Sequence, residues 1–235
     1  DEQLSGASNQ AAREMGLWLK ERLYDLRVFA SSYEVTENIE HATPQTRRRL
    51  SDYLGSVNDR FPDYDELMVV APDLRTVASS ERVPGSLHLA GNWLQRARLG
   101  DPVLGDPVRG DSATSATMEI AVPIVSPSGR FLGVLAGRLN FHGIEQLLRE
   151  QVTGRDDRVA VVQPGGQVIA SAGGTVTALP EETLRRLRGA ESTTVSYQAP
   201  DGLAVVGALA AVPRSDWSAV AEIRRPRRSG RSGGC

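Results

Sequence analysis

Two stretches of this chain can be laid over each other turn on turn. "MVVAPDLRTVASS" (68–80) and "AVVQPGGQVIASA" (160–172) both read as strand, turn, strand. In each, an apolar run breaks at a Pro-containing turn and then resumes. Each copy then continues with a helix and an antiparallel hairpin. In the first copy these are "GNWLQRARLG" (91–100), closed by Gly100, and "MEIAVPIVSPSGRFLGVLAGRLNF" (118–141), which turns on a Pro-Ser-Gly. In the second they are "PEETLRRLRG" (180–189) and "TTVSYQAPDGLAVVGALAAV" (193–212), followed by a last strand, "WSAVAEI" (217–223). Strands joined by hairpins run antiparallel, so βαβ units are excluded. The predicted class is α+β, with two antiparallel sheet units.

Upstream of the repeat lies a different period. Residues 3–33 carry Leu4, Ala7, Ala11, Met15, Trp18, Leu19, Leu23, Leu26, Phe29, Ala30 and Tyr33, mostly at steps of three and four. This pattern predicts one amphipathic helix of about thirty residues, about 45 Å long at 1.5 Å per residue. A second helix opens at Thr43-Pro44, an N-cap and first-turn pair, carries Leu50, Leu54 and Val57, and stops before Pro62. "GDPVLGDPVRGD" (100–111) reads as loop with a short strand around Val103 or Val108. "FHGIEQLLREQ" (141–151) reads as a helix and "VTGRDDR" (152–158) as a polar linker. In 180–189 the charge order suits a helix: Pro180 at the first position, Glu181 and Glu182 in the first turn, arginines late, and Gly189 at the stop.

Composition narrows the function. The 235 residues are 24% charged and carry a net charge of −2, so no global field favours nucleic acid. Five arginines fall in the last twelve residues, and without them the body stands near −7 (−2 − 5). The tail 224–235 reads as a basic flexible extension; a juxtamembrane patch or a nucleic-acid arm are the other readings of such a run. The single cysteine, Cys235, allows no intrachain disulfide and no cysteine metal site. No run of 18 apolar residues is present, and the chain opens at Asp1 inside a helical pattern, as an excised piece of a longer protein would. A phosphate loop, a His pair at metal spacing and a Gly-x-Ser-x-Gly run are all missing, so the expectation is no enzyme and no cofactor.

The chemistry-bearing residues lie around the first hairpin. Glu119 and Arg138 sit within two otherwise apolar strands, and Arg138 shares a face with Val134, Ala136 and Asn140. Three readings are open for Arg138: a bidentate grip on a ligand carboxylate, an internal pair with Glu119, or plain exposure. Trp93 offers a flat face to cover a ligand or to fill a core. His88 reads as a loop histidine or a pH-sensitive contact. Asp101, Asp106 and Asp111 recur at steps of five, which suits Asp-Pro turns better than calcium ligation, and Asp106 borders the expected pocket. Ser80, at the end of the first strand-turn-strand, completes the set of expected ligand contacts.

This arrangement resembles the double Cache (dCache) sensor domain, the extracytoplasmic part of bacterial histidine kinases, chemoreceptors and diguanylate cyclases. The resemblance rests on "YDELMVVAPDLRTVASS", "NWLQRARLGDPVLGDPV" and "IAVPIVSPSGRFLGVLAGRLNFHGIEQLL", and covers about residues 4–223. It implies a long N-terminal helix with two PAS-like antiparallel sheet units. Residues 1–58 would be a helical stalk and second helix, 59–151 a membrane-distal unit that holds the ligand, and 152–223 a membrane-proximal unit. It also implies a membrane anchor outside this sequence, a small-molecule ligand, no nucleic-acid partner and an absent output domain. The apolar stripe on the first helix suits a parallel homodimer. The family's amino-acid-binding branch carries Arg-x-Trp-Tyr where this chain reads Gly91-Asn92-Trp93-Leu94, so Trp93 alone matches. That branch's late Asp falls on Arg138, which reverses the charge and points to an anionic group on the ligand. The rival readings are a structural module of the same fold with a filled pocket, and an intracellular PAS-type regulator.

Overall fold

The structure, a computed structural model, describes residues 2–110, 115–174, 178–190 and 193–225. Contacts divide the chain into two compact units, residues 19–143 and residues 1–18 with 144–235. Helix α1 (Glu2–Ala30) contributes its first part to the second of these and its remainder to the first. Among the described residues no helix is long and apolar enough to cross a membrane.

The 19–143 unit begins with helices. The stripe read over 3–33 ends at Ala30 rather than Tyr33, and Tyr33 starts a separate helix, α2 (Tyr33–Glu40). The reason is local. Ser31 Oγ donates to Val28 O at 2.9 Å and Ser32 Oγ to Phe29 O at 2.8 Å, while Ser32 takes an extended backbone as the N-cap of α2. Serine side chains compete with the main chain for these carbonyls and so end the helix. Helix α3 (Pro44–Arg60) starts as expected, with a reciprocal capping box between Thr43 and Thr46 and Pro44 in its first turn.

A six-stranded antiparallel sheet follows: β1 (Tyr64–Val70), β2 (Thr76–Ser79), β3 (Val103–Leu104), β4 (Val108–Arg109), β5 (Ala116–Val125) and β6 (Phe131–Asn140). Its order is β2-β1-β6-β5-β3, with β4 also pairing β5. Leu67, Val69, Ile120, Val122, Leu135 and Leu139 are fully buried on one face, and α2 and α3 contact the central strands. Tyr64 points to this face as well: its hydroxyl donates to Arg22 O of α1 at 2.7 Å. A Cβ on Gly137 would come within 2.8 Å of the Tyr64 ring, so only glycine permits this stacking. The other face carries Met68, Val70, Ala121, Val134 and Ala136, packed under Trp93 and Ala97 of α4 (Trp93–Arg98).

The second unit repeats the plan after α5 (His142–Arg149). Its five strands are β7 (Asp157–Val162), β8 (Val168–Ala172), β9 (Val195–Gln198), β10 (Ala204–Ala211) and β11 (Ser218–Arg224), in the order β8-β7-β11-β10-β9. Helix α6 (Glu181–Gly189) covers the face built on Ala160, Val162, Val205 and Val220. Pro180 is the N-cap of α6 rather than its first residue, and Gly189 closes the last turn instead of following it. Buried Leu4, Ala11 and Met15 of α1 belong to this unit, and Gly16 lies against Pro213. Asp111, most of the basic tail and Cys235 lie outside the described residues.

Two measurements check this packing. Leu135→Ala, at a site with no exposure, should lower unfolding free energy by about 2–5 kcal/mol in urea titrations, while Val83→Ala, 85% exposed, should stay within about 0.5 kcal/mol. The second concerns pH. Burial first, and the Asp25 carboxylate next, push the Tyr64 phenol well above its ordinary value. A phenol raised in the folded state stabilises fully below pH of about 10 and loses that contribution progressively as pH rises from the unfolded value through the higher folded one. Stability of the parent should therefore fall more steeply between about pH 9.5 and 11.5 than that of Tyr64→Phe, as read by urea titration across that range.

Candidate functional site

The polar half of the α4-side face is a row of three charges across three strands. Glu66 of β1 pairs in register with Arg138 of β6, and Arg138 with Glu119 of β5. Residues in register on adjacent strands share a face. Glu66 reaches this face through a bulge: the β1–β6 register shifts between Tyr64 and Glu66, so the extra residue Asp65 turns the strand over. Tyr64 thus points into the helix-covered core and Glu66, two residues on, into the site. Asn140 Nδ2 holds the bulge by donating to Asp65 Oδ1 at 2.8 Å and to Pro62 O at 2.9 Å.

Glu66 is 2% exposed and its carboxylate is well supplied with donors. Oε1 accepts from Ser79 Oγ at 2.8 Å and from Gly85 N at 2.9 Å, and Oε2 accepts from Arg138 Nη1 at 3.0 Å. A Cβ on Gly85 would lie 2.7 Å from Arg138 Nη2 and 2.8 Å from Glu66 Oε2, so a side chain there would press on the ion pair. Arg138 Nη2 is held loosely by comparison. It lies 3.5 Å from Glu119 Oε1 and 3.5 Å from Ser86 O. Glu119 Oε2 accepts from the His88 backbone N–H at 2.6 Å, and His88 Nδ1 lies 3.9 Å from Glu119 Oε1.

A cavity of about 280 Å³ opens against this row. It is lined by Glu119, Arg138, His88, Gly105, Asp106, Val108 and Thr117. The structure therefore brings together four of the six residues singled out from the sequence: Arg138, Glu119, His88 and Asp106. Two are placed elsewhere. Trp93, expected over the ligand, is buried in the apolar cluster with Met68, Val103 and Ala136, because the strand positions beneath α4 are all apolar. Ser80 ties β1 to α3: its Oγ accepts from Leu67 N at 2.9 Å and donates to Asn58 Oδ1 at 3.1 Å. The sequence reading missed Glu66, Ser79 and Gly85. A carboxylate inside the apolar run "YDELMVV" was the available signal for Glu66, but the bulge hides its face.

The second unit offers a comparison. Laying 68–80 on 160–172 places Arg158 at the position of Glu66, and the registers Met68–Ala136 and Ala160–Val220 place Glu222 at that of Arg138. Arg158 Nη2 lies 3.0 Å from Glu222 Oε2. The same cross-strand pair is present with its charges exchanged. Opposite Glu222 on β10 stands Gly207, over which the Tyr197 ring packs so that its hydroxyl donates to Glu222 Oε1. Burial and the Glu222 charge push the Tyr197 phenol far up, so it stays a neutral donor. A tyrosine of the chain itself thus supplies the third partner of the pair here, where the 19–143 unit has Glu119.

Other features have less chemistry. A cavity of about 300 Å³ in the second unit is lined by Leu4, Ala7, Val159 and Ala221 together with Arg158 and Glu222 of the charge pair. Among the described residues one group could hold a metal ion, the exposed Glu37, Glu40 and His41, and Glu40 is already paired with Arg130 at 2.6 Å.

Comparison with known proteins matches this architecture. No curated protein sequence matches the chain. Among solved structures, the sensor domain of the V. cholerae histidine kinase DctB superposes with a TM-score of 0.68 at 11% identity, covering 94% of this chain and 95% of that one. The ligand-binding domain of the Pseudomonas aeruginosa PAO1 amino acid chemoreceptor PctB, in complex with L-Arg, gives 0.63 at 15% identity, covering 96% and 95%. That of the Campylobacter jejuni chemoreceptor Tlp3, in complex with 4-methylisoleucine, gives 0.65 at 11% identity, covering 95% and 90%. At these identities the likeness is one of fold. The sequence profile of the family described as Cache domain, of the dCache type, matches residues 1–227, and the chain belongs to that family.

Proposed function

We propose that this chain is the extracytoplasmic sensor of a membrane-anchored bacterial receptor, and that it binds a small molecule bearing an anionic group in the cavity of the 19–143 unit. The observation that carries the reading is Arg138. One of its terminal nitrogens is committed to buried Glu66, the other lies 3.5 Å from Glu119 and from Ser86 O, and the residue lines a cavity of about 280 Å³. A guanidinium with a spare edge in a partly desolvated site suits a carboxylate. Chemoreceptor domains of the same fold, with L-Arg and with GABA bound, support a small-molecule ligand.

In this reading the 59–151 region is membrane-distal and the 152–223 region membrane-proximal. Ligand entry draws the 85–89 and 105–108 segments onto the charged row. The resulting shift in population between two states passes along α1 toward an output domain. Leu17, Tyr24 and Val28 remain exposed on α1 at steps of seven and four, which supports pairing with a second copy through this helix. The protein binds its ligand and does not turn it over. The rival reading, a structural module with a filled pocket, requires the Arg138–Glu119 pair to close the site. The two are 3.5 Å apart, yet a cavity large enough for a small organic acid remains beside them.

A thermal-shift screen of small organic acids and amines should find a ligand, since saturation at 100 times its Kd adds about 2.7 kcal/mol of stability. Calorimetry with that ligand then tests the handle. Arg138→Lys keeps the charge but loses the fork, and affinity should fall about tenfold, or about 1.4 kcal/mol. Arg138→Ala should lose more, and Glu119→Gln, which removes a competitor for Nη2, should bind equally or more tightly. Unchanged affinity in Arg138→Ala would move the site elsewhere.

A further inference from the structure

The role of Glu66 goes beyond a buried ion pair. We propose that Glu66 is a positioning residue for Arg138 and the specificity-determining charge of the site: it fixes which edge of the guanidinium faces the cavity, and it restricts the ligand to a single anionic group. The inference deepens the proposed function and rests on the same cavity.

Positioning follows from the inequality of the contacts. Glu66 is immobile: it is buried, and three donors hold it, Ser79 Oγ at 2.8 Å, Gly85 N at 2.9 Å and Arg138 Nη1 at 3.0 Å. Arg138 itself is more open, with its side chain 27% exposed. A long side chain on a strand has several rotamers, and one short charge-assisted bond to a fixed acceptor selects among them. The selected rotamer commits Nη1 to Glu66 and leaves Nη2 with only the longer contacts to Glu119 and Ser86, in a residue that lines the cavity. Gly85 keeps the covering segment close enough to shield this arrangement from water.

Selectivity follows from the count of charges. Glu66 and Glu119 flank Arg138, and Asp106 lines the cavity wall, so the site holds three carboxylates and one guanidinium. These four groups sum to −2 (+1 − 3). One anionic group is compensated by its direct contact with Arg138. A second finds no further cation among the lining residues and meets Asp106 and Glu119. Glu66 supplies one of the three negative charges while keeping its own carboxylate out of the ligand's reach.

The test uses the full chain and two probes, pyruvate as a monocarboxylate and succinate as a dicarboxylate. Binding is measured by calorimetry on the parent, Glu66→Gln and Glu66→Asp. In parallel, 15N NMR of the Arg138 guanidinium, assigned with Arg138→Lys, reports rotation about its terminal bonds without any ligand. The parent should prefer pyruvate over succinate at least tenfold and show restricted Arg138 Nη signals. Glu66→Gln should cut that preference about tenfold and average the Nη signals. Glu66→Asp, which keeps the charge but shortens the reach, should average the signals and retain the preference; it also serves should Glu66→Gln fold poorly. Restricted Nη signals in both variants, or a preference in Glu66→Gln within twofold of the parent, overturns the proposal, since a merely structural Glu66 would change stability alone. If neither probe binds the parent, the anionic-ligand reading fails instead, and the Nη signals still decide whether Glu66 positions Arg138.

Discussion

Across central strands of each sheet runs a pair of opposite charges with at least one partner buried, and the rest of each unit is arranged around it. In the 19–143 unit Glu66 faces Arg138, and in the second unit Arg158 faces Glu222. Taking such groups out of water is costly, so they are tolerated only when paired and supplied with hydrogen bonds. That requirement acts on register. A slip of one residue between β1 and β6 would carry Arg138 to the helix-covered face beside Leu67 and Val69 of β1, away from Glu66. The pair therefore penalises every register but one, and the apolar residues on both sides of it follow. Exchange of the charges between the two units shows that the requirement is for complementarity, with either polarity serving.

What the neighbouring strand brings to the pair sets the two units apart. Opposite Glu222 stands Gly207, whose missing side chain makes room for the Tyr197 ring, and a neutral phenol completes the site from within. Opposite Arg138 stands Glu119, which needs donors of its own and draws one from the His88 backbone. The covering segment then sits beside the charges instead of on them, and a cavity persists. One architecture thus completes its charge pair with a neutral phenol in one unit and with a second carboxylate in the other.

Division of labour between the sheet faces keeps the site independent of the core. In the 19–143 unit the helix-covered face holds the largest fully buried side chains, among them Tyr64, Leu67, Ile120 and Leu135. The opposite face is half apolar under Trp93 and half polar at the charged row. Site residues from strands are rigid, while His88 and Asp106 come from segments between elements, where adjustment is cheap. Such a mixture suits recognition by closure of loops on a fixed handle.

Period and punctuation were legible in the sequence. Alternation with a Pro-containing turn defined both strand pairs, the three-and-four spacing defined α1, and Thr43-Pro44 defined the start of α3. Those signals are local, since each depends on residues within one turn or one hairpin. Arg138 and Glu119 were legible as site candidates for the same reason: a charge within an apolar strand is visible without knowing its partner. Glu66 was not, because a bulge at Asp65 reverses the strand's faces, and bulges answer to the pairing of distant strands. For Trp93 the sequence left two roles open, because a flat aromatic suits a ligand and a core equally, and only the fold showed the apolar strand positions beneath α4 on which it packs. The two serines that end α1 three residues early were present in the sequence, but their hydroxyls choose between the helix and a cap only once α2 packs. The chain by itself determined which elements form and which charges need partners. Tertiary structure decided which face each charge reached, and therefore which charges paired and which of them line a cavity, because those outcomes depend on register between strands far apart in sequence.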